Sequence, residues 1–182
     1  MAVAITGNPG VGKHTIAKQI SIHMGLQVTD INKIAEDAEL FEKNKTTNDV
    51  DISKLKKIIA DKITDSSLIV GHLAPYVLSS DQITKMIVLR RNPYDLIPVY
   101  KKREYNEIKI RDNVGSEILG IIAYDAIIQF KAKVVQIDVS TKSIAEVTEK
   151  VLNIIRCEDT SEEVDWLELV TKQNDLEKFF AY

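Results

Sequence analysis

The chain has 182 residues, with 24 basic and 27 acidic side chains leaving a formal charge of −3. That is the size of one domain, and it offers no overall basic field for nucleic acid. Apolar residues make up 45% and charged ones 28%, an ordinary globular balance, and the lone Cys157 excludes a disulfide framework and a paired-cysteine metal motif. No apolar run approaches the ~20 residues needed to cross a bilayer. The stretch Met1 to Thr6 lacks a basic leader, so a cytoplasmic protein without a cleaved signal peptide is expected.

In chain order, Ala2 to Thr6 predicts a short apolar strand running into a glycine turn. Lys13 to Met24 follows as a helix with Ile16, Ala17, Ile20 and Met24 on one face. Leu26 to Val28 reads as a second strand, with Thr29 or Asp30 capping a helix through Glu39. The polar stretch Phe41 to Asp51 reads as a loop, and Ser53 as the cap of a helix to about Ile63. Ser67–Val70 and Lys85–Leu89 have the continuous apolar character of buried strands. Asn92 or Pro93 opens a helix, and a single long helix is expected from about Asn106 to Lys131. Val134 to Asp138 is the last strand, Ser143 to Arg156 a further helix, and Val164 to Phe179 one more. Strands alternating with amphipathic helices imply right-handed crossovers. The expected fold is a three-layer α/β domain spanning 1–182, with a five-stranded parallel sheet flanked by helices. Ligands of such sheets bind at the strand carboxyl ends, which puts the Gly7–Lys13 loop, His72 and Arg90 along one rim.

Glycine is scarce, yet Gly7, Gly10 and Gly12 fall within six positions. Gly7-Asn-Pro-Gly-Val-Gly-Lys13 matches G-x-x-x-x-G-K, between a predicted strand and a helix as that motif requires. Glycines let successive N–H groups encircle a phosphate, the helix adds its positive end, and Lys13 supplies a point charge. His14 stands where a Ser or Thr would offer a hydroxyl to Mg²⁺. Its imidazole either lines the site or faces solvent, and Thr15 comes one residue later. The ion would then be held through water and the nucleotide's own oxygens.

Charge is segregated. Four of the five arginines lie between Arg90 and Arg111, a stretch with seven basic and three acidic residues, whereas Cys157 to Tyr182 holds eight acids and two lysines. A basic segment closing over a nucleotide would neutralise the transferring phosphoryl group and exclude water. The alternative is a solvated helix face whose arginines pair with Asp95, Glu104 and Glu107. His72, after a buried strand, could orient a water or simply bond a backbone carbonyl. Asp30 could reach a ribose, but capping the following helix explains it more simply. Trp166, Leu169, Val170, Phe179 and Phe180 give the tail an apolar face that either docks onto the body or binds a partner.

The loop, the strand end Ile69-Val-Gly-His72 and the stretch Lys102-Arg-Glu-Tyr-Asn-Glu-Ile-Lys-Ile-Arg-Asp-Asn113 with Glu117-Ile118 together resemble the adenylate kinase isoenzyme six family. That family, also called the coilin-interacting nuclear ATPase family, lies among the P-loop nucleoside monophosphate kinases. The resemblance covers about residues 3–155. It implies a P-loop kinase fold, ATP with Mg²⁺ as cofactor, and adenylate kinase activity on ATP and AMP. It implies ATP-phosphate contacts at Gly10, Gly12, Lys13, His14 and Thr15, a monophosphate-binding arm at 29–51 and a lid at 102–112. Within the lid Arg103 would touch the phosphates, and Lys142 would contact adenine. Lys13, Arg103 and His72 are thus the expected catalytic residues. The family also acts in small ribosomal subunit maturation through a basic platform protein, a partner that suits this acidic tail better than direct RNA binding.

The departures are specific. Val70 replaces the aspartate of the family's D-x-H, Val99 replaces a second lid arginine, and Glu104 replaces the lid glycine. Arg90 and Arg91 are candidates to stand in for the arginine missing at Val99. The arm's acidic patch is reduced to Glu42, Asp49 and Asp51. Losses of this kind could leave binding intact and turnover poor, giving two alternatives to an efficient kinase. One is a catalytically weak, ATP-gated ribosome assembly factor. The other is a different small-molecule kinase, of the shikimate or dephospho-coenzyme A type.

Overall fold

The computed structural model describes residues 2–43, 48–156 and 160–180. Cys157, Glu158 and Asp159 lie outside the described residues, as do the Glu42 and Asp49 side chains. In chain order the elements are β1 (Ala2–Thr6), α1 (Lys13–Met24), β2 (Gln27–Asp30), α2 (Ile31–Asp37), β3 (Phe41–Lys43), β4 (Asn48–Val50), α3 (Ile52–Ala60), β5 (Ser67–Val70), α4 (Ala74–Val77), β6 (Ile83–Arg90), α5 (Pro93–Lys102), α6 (Glu107–Ile118), α7 (Ile121–Phe130), β7 (Val134–Asp138), α8 (Ile144–Ile155), α9 (Trp166–Lys172) and α10 (Leu176–Phe180).

Five strands form one parallel sheet in the order β2-β5-β1-β6-β7, as the sequence predicts. β1 sits at its centre, with Ile5 opposite Val70 on one side and Ile87 on the other. The strand alternation sorts the core. Val3 and Ile5 pack with Ile16, Ile20 and Val151 on one face, while Ala2 and Ala4 pack with Leu55, Ile59 and Phe130 on the other. Cover on both faces explains why the inner strands β5, β1 and β6 carry no polar stripe. Met24 departs from its expected place, since it is exposed at the end of α1.

Four local expectations are corrected. Phe41 to Asp51 is not a loop throughout: β3 and β4 pair as an antiparallel hairpin. The cap of α3 is Asp51, whose Oδ1 accepts from the Lys54 N–H at 3.0 Å, so the helix starts before Ser53. The long helix after Asn106 breaks at Gly120, which adopts φ +64 between α6 and α7. A Cβ there would lie 3.2 Å from the Arg90 guanidinium, so a buried arginine occupies the space that a continuous helix would need. The tail helix is likewise divided, with a turn at Asn174 (φ +57) separating α9 from α10.

The tail docks onto the body. Val170 and Phe179 are buried in the core, and the Tyr94 and Phe179 rings meet edge-to-face with centroids 5.4 Å apart. The preceding segment closes the free edge of β7: the Glu162 N–H donates to the Gln136 carbonyl at 3.0 Å, and the Glu162 Oε2 accepts from the Asp138 N–H at 2.6 Å. Among the described residues no helix is long and apolar enough to cross a membrane.

Candidate phosphate-binding site

Helix α1 begins differently from its neighbours. Helices α2, α3, α5, α6, α8 and α9 start on the capping side chains Asp30, Asp51, Asn92, Asn106, Ser143 and Asp165. α1 starts on Gly12, which offers no cap, and no acidic residue stands in its first turn. Its leading N–H groups therefore lack the side-chain acceptor that those six helices have, which leaves them available to an anion.

The loop before it is held from outside. Lys13 Nζ donates to the Asn8 carbonyl at 2.9 Å, the Tyr100 hydroxyl to that of Pro9 at 2.7 Å, and Arg91 Nη1 to that of Gly10 at 3.3 Å. Three successive carbonyls are thus engaged, so the loop has its shape before any ligand arrives. Gly10 lies directly on α5, where an added Cβ would approach Val99 Cγ1 and Tyr100 Cε1 to 3.2 Å. Val99 therefore faces the loop with a methyl group.

Several charges converge here. Lys13 is buried at 5% exposure. Burial, then the Arg103 charge, pushes its ammonium down to about 8, against the pull of Glu117 and Asp30. His72 is pushed down to about 4 by burial, then by Lys13 and His14, so its imidazole is neutral at neutral pH. Arg103 is exposed at the carboxyl end of α5, where its backbone N–H closes the helix, and its guanidinium makes no ion pair or hydrogen bond among the described residues. His14 is neither buried nor free: its Nε2 lies 2.9 Å from Asp30 Oδ2. The other oxygen of Asp30 caps α2 through the N–H groups of Asn32 and Lys33, so the simpler expectation for Asp30 holds. Thr15 is exposed on the first turn of α1.

Three expected residues stand elsewhere. Arg90 does not reach the loop and cannot substitute for an arginine at Val99. It is 4% exposed and held on all three nitrogens, with Nε on Glu117 Oε1, Nη2 on the Glu117 carbonyl and Nη1 on Gln136 Oε1, each at 2.8 Å. Arg91 does lie against the loop, and its Nε is buried without a partner. Val70 is fully buried in the α1-side core, so that position offers no oxygen. Lys142, expected to meet adenine, directs its ammonium to the Asp138 carbonyl at 2.6 Å and to Glu162 Oε1 at 3.1 Å.

The basic segment between α5 and α6 is tied to the loop by aromatic packing. Tyr105 stacks on Tyr100 with centroids 5.6 Å apart and 12° between planes, and Lys109 Nζ lies 4.1 Å from the Tyr105 centroid. Tyr100 in turn holds Pro9. Two residues that motif reasoning passed over, Asn8 and Glu117, form the buried base. Asn8 Nδ2 donates to Glu117 Oε2 at 2.6 Å, and Glu117 is completely buried. Nothing local marks a glutamate in a helix as buried; only its place in the longer family stretch singled it out.

These residues do not form a protein-held Mg²⁺ site. The residue after Lys13 is His14, which carries no hydroxyl, Val70 at the end of β5 is apolar, and no group of three potential ligands occurs among the described residues.

A parallel sheet in this order, a glycine loop at the end of its central strand and an uncapped helix behind it define a P-loop nucleotide-binding domain. The AAA-domain family matches residues 3–120. A Methanocaldococcus jannaschii protein described as "Putative adenylate kinase" is 31% identical over 175 residues, covering 92% of this chain and 94% of that one. One of the same description from Thermococcus kodakarensis is 30% identical over 157 residues, covering 86% of each. Shikimate kinase from Bacteroides thetaiotaomicron has a similar fold, with a TM-score of 0.59 at 15% identity, over 86% of this chain and 98% of that one. The chain belongs to the AAA-domain family of P-loop proteins, alongside these archaeal relatives, within the P-loop nucleoside monophosphate kinases.

Proposed function

We propose that the chain is an adenylate kinase, transferring the γ-phosphoryl group of ATP to AMP to give two ADP. An oxygen of the AMP phosphate forms the new bond to the γ-phosphorus as the bond to the bridging oxygen of ADP breaks. No general base is required, because the attacking oxygen is already anionic; positioning and charge neutralisation supply the catalysis. The observation that carries this reading is the preset loop, with Lys13 buried inside it and the unpaired Arg103 close enough to depress the Lys13 pKa.

In this reading Gly10, Gly12, Lys13, His14 and Thr15 surround the ATP phosphates, with Mg²⁺ entering on the nucleotide. Arg103, in the lid at 102–112, covers the transferring group. The arm at 29–51 receives AMP. His72, neutral at the end of β5, acts as a hydrogen-bonding group rather than as a charge. Lys142 reaches adenine only by releasing Glu162 or by using its alkyl stem. The archaeal relatives' name supports AMP as acceptor.

A coupled assay for ADP tests this. Formation that needs both ATP and AMP, and that disappears in Lys13→Ala, is the expected result. Phosphorylation of shikimate, CMP or UMP in preference to AMP would overturn the acceptor assignment.

One observation favours a second activity, slow ATP hydrolysis gating a basic protein partner of the small ribosomal subunit. Glu163 and Glu177 are exposed and make no ion pair among the described residues. Much of the tail's remaining acidity is spent internally, however, on Lys142, Lys150, Lys172 and Lys178. ATP loss stimulated by such a protein and indifferent to AMP supports this activity; no stimulation removes it.

A further inference from the structure

We propose that Trp166, at the start of α9, is a positioning residue for the phosphate-binding loop, acting through Glu117 and Asn8. The inference rests on the nucleotide-binding reading above. Glu117 is a buried carboxylate shared by four donors. Its Oε1 accepts from Arg90 Nε at 2.8 Å, the Arg91 N–H at 3.0 Å and Trp166 Nε1 at 3.0 Å. Its Oε2 accepts from Asn8 Nδ2 at 2.6 Å. Asn8 is 4% exposed; its Oδ1 accepts from Ser116 Oγ at 3.1 Å and its carbonyl from Lys13 Nζ at 2.9 Å.

A single carboxylate thus joins the tail's indole to the loop residue on which Lys13 rests. In a buried site each donor matters. A carboxylate oxygen that loses one of several donors moves toward those that remain, because each bond is stronger there than in water. With Trp166 in place, Oε1 is occupied on the Arg90 side and Oε2 is left facing Asn8. Without the indole N–H, Oε1 keeps Arg90 and the Arg91 N–H but loses its pull toward the tail, so the carboxylate shifts toward Arg90 and Oε2 shifts against Asn8. The coupling also runs outward. When a bound phosphate draws Lys13 Nζ from the Asn8 carbonyl, Asn8 loses a partner, and its bond to Glu117 adjusts against Trp166.

Trp166 is the one tryptophan in the chain, so its emission reads this path directly. Titration of the full-length protein with ADP should give a saturable change in tryptophan emission, with the same half-point as calorimetric binding. Trp166→Phe, which keeps an aromatic ring and removes the N–H, should weaken ATP binding about 3- to 10-fold. The KM for AMP should stay unchanged, because the coupling ends at the loop. Calorimetric binding with no change in emission overturns the proposal, as does Trp166→Phe binding ATP like the wild type or losing both substrates equally. Should Trp166→Phe fail to fold, the wild-type titration decides alone. If the wild type binds no nucleotide by calorimetry, it is the nucleotide-binding reading that fails, and this proposal with it.

Discussion

Arg90 Nε lies 2.8 Å from Glu117 Oε1, in an ion pair whose side chains are 5% and 0% exposed. The pair joins the end of β6 to α6 and carries the backbone of Arg91 and the side chain of Asn8 on the same carboxylate. Removing one partner leaves the other buried and uncompensated, at about 3–5 kcal/mol. Arg90→Met should therefore lower stability in urea unfolding by that amount. The double variant Arg90→Met, Glu117→Met should lose less than the two single changes together, because it leaves no orphaned charge.

Arg103 offers the opposite case. It is exposed and unpaired, so nothing in the fold leans on it. Arg103→Ala should cost about 10²–10³ in ADP formation, the usual loss for one preset electrostatic group, and leave the melting temperature unchanged. A large fall in melting temperature, or unchanged turnover, would place Arg103 outside the reaction.

The ammonium of Lys13, pushed down to about 8 by burial and by Arg103, makes nucleotide binding depend on pH. At pH 8 about half of the empty loops have lost that proton. A bound triphosphate favours the charged form and restores it. Binding at pH 8 should therefore take up roughly half a proton, and affinity should fall as pH rises through 8. Calorimetry in two buffers of different ionisation enthalpy measures the uptake, which Lys13→Met should abolish.

His72 should titrate near pH 4, because burial disfavours its charged form, below free histidine at about 6.5. The unfolded chain takes up its proton first, so this group contributes stability that is lost as pH falls from about 6.5 toward 4. Proton NMR of the histidine rings, with His72→Asn for assignment, reads the midpoint. A midpoint near 6.5 would mean that the ring sits in water.

Glu104, between α5 and α6, adopts φ +58. The left-handed conformation costs a side chain about 1–2 kcal/mol, part of which glycine returns as unfolded-chain entropy. Glu104→Gly should stabilise the protein by about 1 kcal/mol, which at this length is about 2–4 °C in melting temperature.

Local signals in the sequence were enough for the five strands of the parallel sheet, the glycine loop at Gly7–Lys13 and the cap at Asp30, because each depends on residues within one or two turns of one another. Spacing, apolar alternation and capping are short-range physics. The fates of Arg90, Glu117, Lys142 and Trp166 depend on partners that only folding supplies. Asn8 and Glu117 are 109 positions apart and Arg90 and Glu117 are 27 apart. An arginine reads as a phosphate ligand until a buried carboxylate is found to hold it, and a tail tryptophan reads as a packing residue until its N–H meets that same carboxylate. Tertiary structure decided these pairings because a buried charge must find a partner wherever the chain crossing places one.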